Sequence, residues 1–196
     1  MNSCCVVGLG YIGLPTAALF SMKGYGVLGV DINLDIVNSV NKGVSPIGEP
    51  SLQDVIKKVV NKGSLKASTK PCYSDIFVIA VPTPIKKHKN LPQPNLKFLE
   101  DAIESIIPFL KKGNIIIIES TSPVGTTKKL FSKIIEKTNL KEDQIYMAYC
   151  PERVLPGRIM IEISTNKRII GGINDNSSSK IRKIYNKLCE SAIFVT

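Results

Sequence analysis

Five residues near the amino terminus have the types and spacing of a phosphate-binding loop. Gly8, Gly10 and Gly13 fit the pattern G-x-G-x-x-G, with Tyr11 and Ile12 before the third glycine. A short apolar run precedes the loop and a helical pattern follows it. Gly8 permits a tight turn, Gly10 lets the backbone approach a pyrophosphate, and Gly13 lets the helix pack on the strand. We therefore expect a dinucleotide, with its phosphates at the helix amino terminus, where free N–H groups favour an anion.

Asp31 is a second candidate, at the end of the next apolar run and eighteen residues after Gly13. A carboxylate in this place accepts hydrogen bonds from the adenosine ribose and repels the 2′-phosphate of NADP. No arginine stands beside it in the segment 32–34. The two motifs together predict NAD as the cofactor. A structural role stays open, because Asp31 or Asn33 could instead cap a helix.

Polar residues also follow three later apolar runs, in the segments VPTP, ESTSPVG and YCPERVLPG. Ligands bind outside the carboxyl ends of the strands in a doubly wound sheet, so Thr83 of the first segment could face the cofactor. Helix capping explains the hydroxyls of the second segment equally well. In the third, Glu152 could act as a general base and Arg153 could bind a phosphate or orient a sugar. A surface ion pair is the alternative for both.

The cysteines and the histidine indicate neither a metal site nor a reactive thiol. The five cysteines form no C-x-x-C pair and their number is odd, which argues against a disulfide framework and against a zinc site. Cys4 and Cys5 lie in an apolar run and are expected in the core. Cys150 lacks a histidine partner, because the single histidine, His88, falls in a polar loop. We therefore expect no nucleophilic role for Cys150.

The elements that must position these residues alternate along the chain, which predicts βαβ units. Strands are predicted at 4–7, 27–30, 76–81, 114–119, 145–149, 168–171 and 192–195, with a short one near 66–68. Helices are predicted at 12–23, 34–41, 51–61, 96–110, 126–137 and 177–189, and an exposed loop at 86–94. We expect an α/β fold: a Rossmann-type doubly wound parallel sheet with helices on both faces. The first six strands should have the order 3-2-1-4-5-6, and residues after about 153 should extend or cap the sheet.

Composition narrows the possible partners. Hydrophobic residues make up 43% of the chain, but no apolar run is long enough to span a bilayer. The first residues lack the features of a signal peptide, so a cytoplasmic protein without membrane contact is expected. The net charge of +10 includes a local cluster of Lys86, Lys87 and Lys89. It fits a lysine-rich surface or an anionic small ligand, and the sequence carries no nucleic-acid-binding motif.

Six segments in a fixed order resemble the UDP-sugar/GDP-mannose 6-dehydrogenases: GLGYIGLPTAA, VDIN, AVPTP, ESTSPVGTT, YCPERVLPG and RIIGG. The resemblance runs from Cys4 to about Thr196. It implies oxidation of a nucleotide-sugar C6 alcohol to a carboxylate with two NAD, through a thioester on a cysteine. STSPVG together with YCPERVLPG is most similar to the members that act on UDP-N-acetyl-D-mannosamine and supply surface polysaccharides. UDP-glucose, UDP-N-acetylglucosamine and GDP-mannose stay open as substrates.

The resemblance also implies roles for particular residues. The positions that match the family's NAD contacts are Tyr11, Ile12, Asp31, Thr83 and Thr121. Arg153 and Val154 match contacts to the UDP-sugar substrate, and Glu152 matches a carboxylate implicated in activating the hydrolytic water.

A full member of the family continues beyond the matched residues. It has a helical connector with a catalytic lysine, and a nucleotide-sugar domain whose GGHC-like segment carries the nucleophile. We therefore expect residues 1–196 to be the NAD-binding domain alone, inactive by itself, and the full-length protein to be a homo-oligomer. A stand-alone NAD-binding or regulatory module without turnover is the alternative.

Overall fold

A computed structural model describes residues 3–86, 92–191 and 193–196. The strands are β1 (Ser3–Val7), β2 (Gly26–Val30), β3 (Leu65–Ser68), β4 (Ile76–Ile79), β5 (Ile85–Lys86), β6 (Gln93–Pro94), β7 (Ile115–Ile118), β8 (Tyr146–Tyr149), β9 (Arg168–Gly172) and β10 (Ile193–Val195). The helices are α1 (Gly13–Met22), α2 (Leu34–Asn41), α3 (Pro50–Asn61), α4 (Lys97–Ile106), α5 (Thr126–Lys137), α6 (Ile159–Thr165) and α7 (Asp175–Leu188). Most of the expected polar loop, with His88, Lys87 and Lys89, lies outside the described residues.

Eight of the strands form one sheet in the order β10-β9-β8-β7-β4-β1-β2-β3. Six neighbouring strands of this sheet, β8, β7, β4, β1, β2 and β3, are parallel to one another. Counted along the chain without the short β5–β6 pair, they have the order 3-2-1-4-5-6, so this prediction is confirmed. The sheet is mostly parallel, which confirms the predicted fold class, but its last two strands run in the opposite direction to the other six. β9 runs antiparallel to β8, with Ala148 opposite Gly172, and β10 is parallel to β9.

The reversal at β9 has a structural reason. α6 packs against α1 and α3 and does not return the chain to the opposite edge of the sheet. β9 therefore enters from the carboxyl edge, where β8 ends, and Tyr149 lies opposite Gly171. As a result, the first residue of β9, Arg168, lies beyond the end of β8, next to the segment that begins at Pro151.

Helices cover both faces of the sheet, as the sequence predicts. Alternate residues of β1 point to opposite faces: Cys4 and Val6 join one buried cluster, and Cys5 and Val7 join the other. The first cluster includes residues of α1, α3, α6 and α7, and the second includes residues of α4 and α5. Burial on both faces explains why these strands are apolar throughout.

Two helix predictions differ from the structure. No helix was expected between residues 149 and 168, but α6 occupies seven residues there and buries Ile159 and Ile163. Its isoleucines are poor helix formers, so tertiary packing rather than local propensity explains it. The helix expected at 96–110 is an α-helix only to Ile106. A 3-10 turn follows, in which Pro108 has no backbone N–H to continue the α-helix.

Candidate functional site

The glycine-rich loop joins β1 to α1. It lies where the carboxyl ends of the parallel strands β1, β2, β4 and β7 meet, a region called the cofactor edge below. Gly8 has a φ of +94° and lies so close to the backbone oxygen of Ala80 that a Cβ would collide with it. A Cβ on Gly13 would collide with the backbone oxygen of Gly8. Gly10 differs, because, its own chain neighbours aside, no atom of the described residues lies within 4 Å of a Cβ built there. Packing within the protein therefore explains two of the glycines, whereas Gly10 leaves open space for a ligand.

Backbone donors are available beside this open space. Within the described part of the chain, no hydrogen bond occupies the backbone N–H groups of Tyr11 and Ile12. They precede α1, whose first turn carries no acidic residue. Unpaired N–H groups at a helix amino terminus bind anions, so the loop fits the pyrophosphate of a dinucleotide.

Asp31 is fixed at the end of β2 beside the same loop. Its Oδ2 accepts a hydrogen bond from the backbone N–H of Leu9 at 2.9 Å, and its Oδ1 accepts one from Asn33 at 2.9 Å. The helix cap of α2 is Asn33, whose side chain accepts from the N–H of Asp35. Asp31 is therefore not the cap. Each carboxylate oxygen keeps a further lone pair, which suits a ribose hydroxyl.

The ends of β4 and β7 complete this edge. Ser120 Oγ accepts a hydrogen bond from the backbone N–H of Val81 at 2.9 Å and donates one to the backbone oxygen of Val81 at 2.8 Å. Ser120 therefore links the end of β7 to the end of β4. Thr83 is half-buried and Thr121 is exposed. Because β1, β2, β4 and β7 lie side by side and parallel, the structure brings the expected cofactor residues to one edge. Contact of each with NAD stays a prediction.

A buried charged cluster lies at the ends of β7, β8 and β9. Arg168 is 2% exposed and forms ion pairs with Glu152 Oε2 and, at 3.6 Å, with Glu119 Oε1. The phenol of Tyr185 donates to Glu119 Oε1 at 2.7 Å, and Thr16 donates to Glu119 Oε2 at 2.8 Å. One guanidinium therefore serves two buried carboxylates. The alternative of a surface ion pair was wrong for Glu152. The residue does form an ion pair, but its side chain is buried, at 1% exposed.

The environment of Glu152 favours proton transfer near neutral pH. Burial raises the pKa of its carboxyl to about 7, and this outweighs the attraction of Arg168, which Glu119 shares. Its Oε1 accepts from the backbone N–H of Arg153 at 2.7 Å. Such a carboxyl can take up or release a proton at physiological pH, as a general base requires.

Cys150, directly before this segment, lies in the core. Burial raises the pKa of its thiol to about 12, so the reactive thiolate is suppressed. Cys4, Cys5 and Cys189 are also buried, and the exposed Cys72 precedes β4, at the opposite edge of the sheet.

The expected substrate residues differ in exposure. The side chain of Arg153 is exposed and donates to the backbone oxygen of Lys167 at 3.3 Å. Among the described residues it forms no ion pair with a carboxylate, so the guanidinium can still bind an anion. Val154 is half-buried against the cluster that contains α1 and α6. The structure thus places Glu152, Arg153 and Val154 beside the cofactor edge, and their substrate role stays a prediction.

A second buried carboxylate joins the loop to this segment. Glu49, 4% exposed, accepts through Oε1 from the hydroxyl of Tyr11 at 2.8 Å and from the backbone N–H of Gly157 at 2.7 Å. The Gly157 N–H is the main cause that lowers the pKa of Glu49. Burial and the hydrogen bond to Glu49 raise the pKa of the Tyr11 phenol to about 12.

Sequence reasoning missed the roles of Glu49 and Arg168. Arg168 begins an otherwise apolar strand, RIIGG, and a single charge in such a strand indicates a buried partner. Glu49 precedes Pro50 at the start of a helix, where it looks like an ordinary first-turn acid. Its partners lie 38 and 108 residues away, so no local pattern identifies them.

Three further features of the described residues concern cavities, possible metal ligands and the length of the helices. A cavity of about 650 Å³ lies beside the crevice, between α5 and β9, and includes Ser122 to Gly125. Within residues 3–86, 92–191 and 193–196, no group of three or more His, Cys, Asp or Glu side chains is arranged to hold a metal ion. In the same residues, none of the helices combines the length and apolar character that crossing a membrane requires.

Comparisons with known proteins agree with this geometry. Residues 2–189 match the family model described as UDP-glucose/GDP-mannose dehydrogenase family, NAD binding domain. The UDP-N-acetyl-D-mannosamine dehydrogenase of Methanococcus maripaludis is 44% identical over 98% of this chain and 44% of its own length. The Escherichia coli enzyme of the same name is 44% identical over 97% of the chain and 47% of its own length. The chain therefore spans less than half the length of these relatives.

Solved structures give the same result. The UDP-N-acetyl-mannosamine dehydrogenase Cap5O of Staphylococcus aureus has a TM-score of 0.95 and 41% identity, and the match covers 100% of this chain and 47% of that one. GDP-mannose dehydrogenase from Pseudomonas aeruginosa, at 24% identity, shares the fold with a TM-score of 0.90. The chain thus belongs to the UDP-glucose/GDP-mannose dehydrogenase family, of which it comprises the NAD-binding domain.

Proposed function

We propose that the chain is the cofactor domain of an enzyme that oxidises the C6 alcohol of UDP-N-acetyl-D-mannosamine to the carboxylate of UDP-N-acetyl-D-mannosaminuronate. The reaction uses two NAD and supplies surface polysaccharide synthesis. One observation carries the proposal. Three parts of the chain lie at the cofactor edge: the glycine-rich loop, Asp31, and the segment with Glu152 and Arg153. The names of the relatives at 44% identity support the choice of sugar.

Each cofactor residue has a proposed role. Gly8, Gly10 and Gly13 shape the loop, and the N–H groups of Tyr11 and Ile12 bind the pyrophosphate. Asp31 accepts hydrogen bonds from the adenosine ribose, and Thr83 and Thr121 contact the remainder of the dinucleotide at the strand ends. Bound NAD would accept a hydride from C6 in each oxidation.

Glu152 and Arg153 act at the sugar end. Glu152 takes a proton from the water whose oxygen bonds to the thioester carbon. The carbon–sulfur bond then breaks, which releases the carboxylate product and the cysteine thiol, and the pKa of Glu152, which burial has brought to about 7, suits this role. The exposed guanidinium of Arg153 binds the charged substrate, and Val154 packs beside it. The thiol for the covalent step has to come from outside this chain, because Cys150 is buried and Cys72 lies at the opposite edge.

The extent of the domain is part of the proposal. Residues 1–196 form one NAD-binding unit that by itself has no turnover, and the complete enzyme is a cytoplasmic homo-oligomer. Members of the family that act on UDP-glucose, UDP-N-acetylglucosamine or GDP-mannose are the alternatives for the substrate. The burial of Cys150 favours a second candidate function for the chain alone, an NAD-binding module without turnover.

NADH formation tests the proposal, measured in parallel on the isolated chain and on the whole polypeptide that contains this domain. UDP-N-acetyl-D-mannosamine should give two NADH per sugar with the whole polypeptide and none with the isolated chain. A higher kcat/KM for UDP-glucose would contradict the choice of sugar. Sustained NADH formation by the isolated chain that disappears in Cys150→Ser would make Cys150 the nucleophile.

A further inference from the structure

Glu49 is a buried carboxylate that the proposed chemistry does not use. It precedes α3, and within the described residues no lysine or arginine forms an ion pair with it. A buried carboxylate without a cation depends on hydrogen bonds to remain charged. Its pKa is nevertheless lowered, chiefly by the N–H of Gly157. The N–H of Gly157, the phenol of Tyr11 and the N–H of Ile159 all lower this pKa, and the first two of these donors bond Oε1 and help to hold Glu49 in its charged form.

These two bonds come from different functional segments. Tyr11 belongs to the glycine-rich loop, next to the N–H groups that fit a pyrophosphate. Gly157 ends the segment that contains Glu152, Arg153 and Val154. Glu49 itself belongs to neither segment, and the same oxygen atom accepts both bonds, at 2.8 Å and 2.7 Å. A displacement of one donor therefore changes the position available to the other.

The exposure of Tyr11 lets a ligand act on this link. The residue is 37% exposed at the cofactor edge, so a bound dinucleotide can contact and restrict its ring while the hydroxyl remains on Glu49. A restricted Tyr11 restricts the carboxylate and hence the Gly157 N–H. Thermodynamic reciprocity requires that a ligand on the 152–157 segment equally changes the affinity for the dinucleotide.

We propose that Glu49 is a positioning residue that couples the cofactor loop to the substrate segment, so that NAD binding at Tyr11 orders the backbone at Gly157. The inference rests on the proposed function, because it assumes that NAD occupies the glycine-rich loop. It adds that this carboxylate aligns the sugar-binding segment with the cofactor before substrate arrives.

Amide hydrogen exchange at Gly157, followed by NMR on this chain with and without NAD, tests the coupling. Saturating NAD should slow exchange at Gly157 by about 5-fold or more, the lower end of typical coupling between sites. Tyr11→Phe removes the phenolic donor and leaves the Gly157 bond to Glu49. At a saturating NAD concentration established for each variant, it should abolish the NAD-dependent slowing. Tyr73→Phe, which changes an exposed tyrosine packed on Phe109, is the matched control and should behave as the unaltered chain does.

Two further variants separate coupling from a purely structural role. Glu49→Gln keeps an oxygen that accepts both bonds and should keep the slowing at Gly157, and Glu49→Ala should lose it. If NAD binds and exchange at Gly157 is unchanged, or if Tyr11→Phe shows the same slowing as the unaltered chain, the coupling is refuted. Calorimetry distinguishes this from failure of the proposed function, in which the unaltered chain does not bind NAD at all.

Discussion

The cofactor loop and the buried charged cluster lie at the same edge of the sheet but are built in different ways. The loop is made of backbone groups within a short stretch, and its Gly10 faces open space. The cluster consists of long side chains from three strand ends and α7, and its central Arg168 is 2% exposed. A change at Gly10 should therefore alter ligand binding, whereas changes in the cluster should alter stability and proton affinity.

The largest effect on the stability of the fold is expected from a change at Arg168. Arg168→Met should lower the free energy of unfolding by about 3–5 kcal/mol, because it leaves Glu119 and Glu152 buried without a cation. Urea unfolding measures this. Arg182→Met is the matched control, because Arg182 is exposed on α7, and it should change stability by less than about 0.5 kcal/mol. Equal losses in the two variants would show that the buried ion pairs contribute nothing.

The pH dependence of stability should show the raised pKa of Glu152. Its carboxyl has a pKa of about 7 in the folded protein against 4.5 as the reference, so the folded state holds the proton more tightly. Its contribution is therefore most favourable below pH 4.5 and is lost as pH rises towards 7. The loss is on the order of 3 kcal/mol at about 1.36 kcal/mol per pKa unit.

Urea unfolding of the unaltered chain and of Glu152→Gln between pH 4.5 and 8 isolates this contribution. Glu49, Asp75 and Glu104 have lowered pKa values, so their contributions are lost as pH falls, and they cancel in the difference. The stability of the unaltered chain should decrease relative to Glu152→Gln as pH rises. A constant difference between the two proteins would mean that Glu152 titrates normally.

Two glycines of the loop give a matched pair with a smaller effect on stability. Gly13→Ala should destabilise the fold by about 1–3 kcal/mol, because its Cβ would collide with the backbone oxygen of Gly8. Gly10→Ala should change stability by less than about 0.5 kcal/mol, yet weaken NAD binding about tenfold or more, since the new methyl group occupies the ligand's space. Thermal unfolding and calorimetry measure the two properties. Unchanged NAD affinity in Gly10→Ala would place the pyrophosphate elsewhere.

The fourth prediction concerns Arg153, which directly follows Glu152 of the buried cluster. Arg153→Ala in the whole polypeptide should lower turnover of UDP-N-acetyl-D-mannosamine without weakening NAD binding, because the exposed guanidinium lies outside the cofactor loop. Steady-state kinetics and calorimetry measure this, with Arg182→Ala as the control. Unchanged kinetics would leave Arg153 with only its bond to the backbone oxygen of Lys167.

The sequence predicted the loop more fully than the cluster, for a physical reason. The glycine spacing, Asp31 and the first six strands depend on local patterns and on alternation along the chain. Arg168 meets Glu119 only because β9 turns antiparallel, and that depends on the packing of α6. The bond between Glu49 and Gly157 spans 108 residues and has no local signature. Properties set by backbone geometry were therefore predictable, whereas long-range pairs of side chains were not.

Cofactor selection by Asp31 is the most direct test of the account. Calorimetry should show that the chain binds NAD more tightly than NADP, and that Asp31→Ala weakens NAD binding by roughly 1–2 kcal/mol, the scale of hydrogen bonds to a charged group. Asp35→Ala, which changes an exposed acid on the neighbouring helix, should leave the preference unchanged. Equal or tighter binding of NADP by the unaltered chain would contradict the assignment of Asp31 and of the cofactor edge.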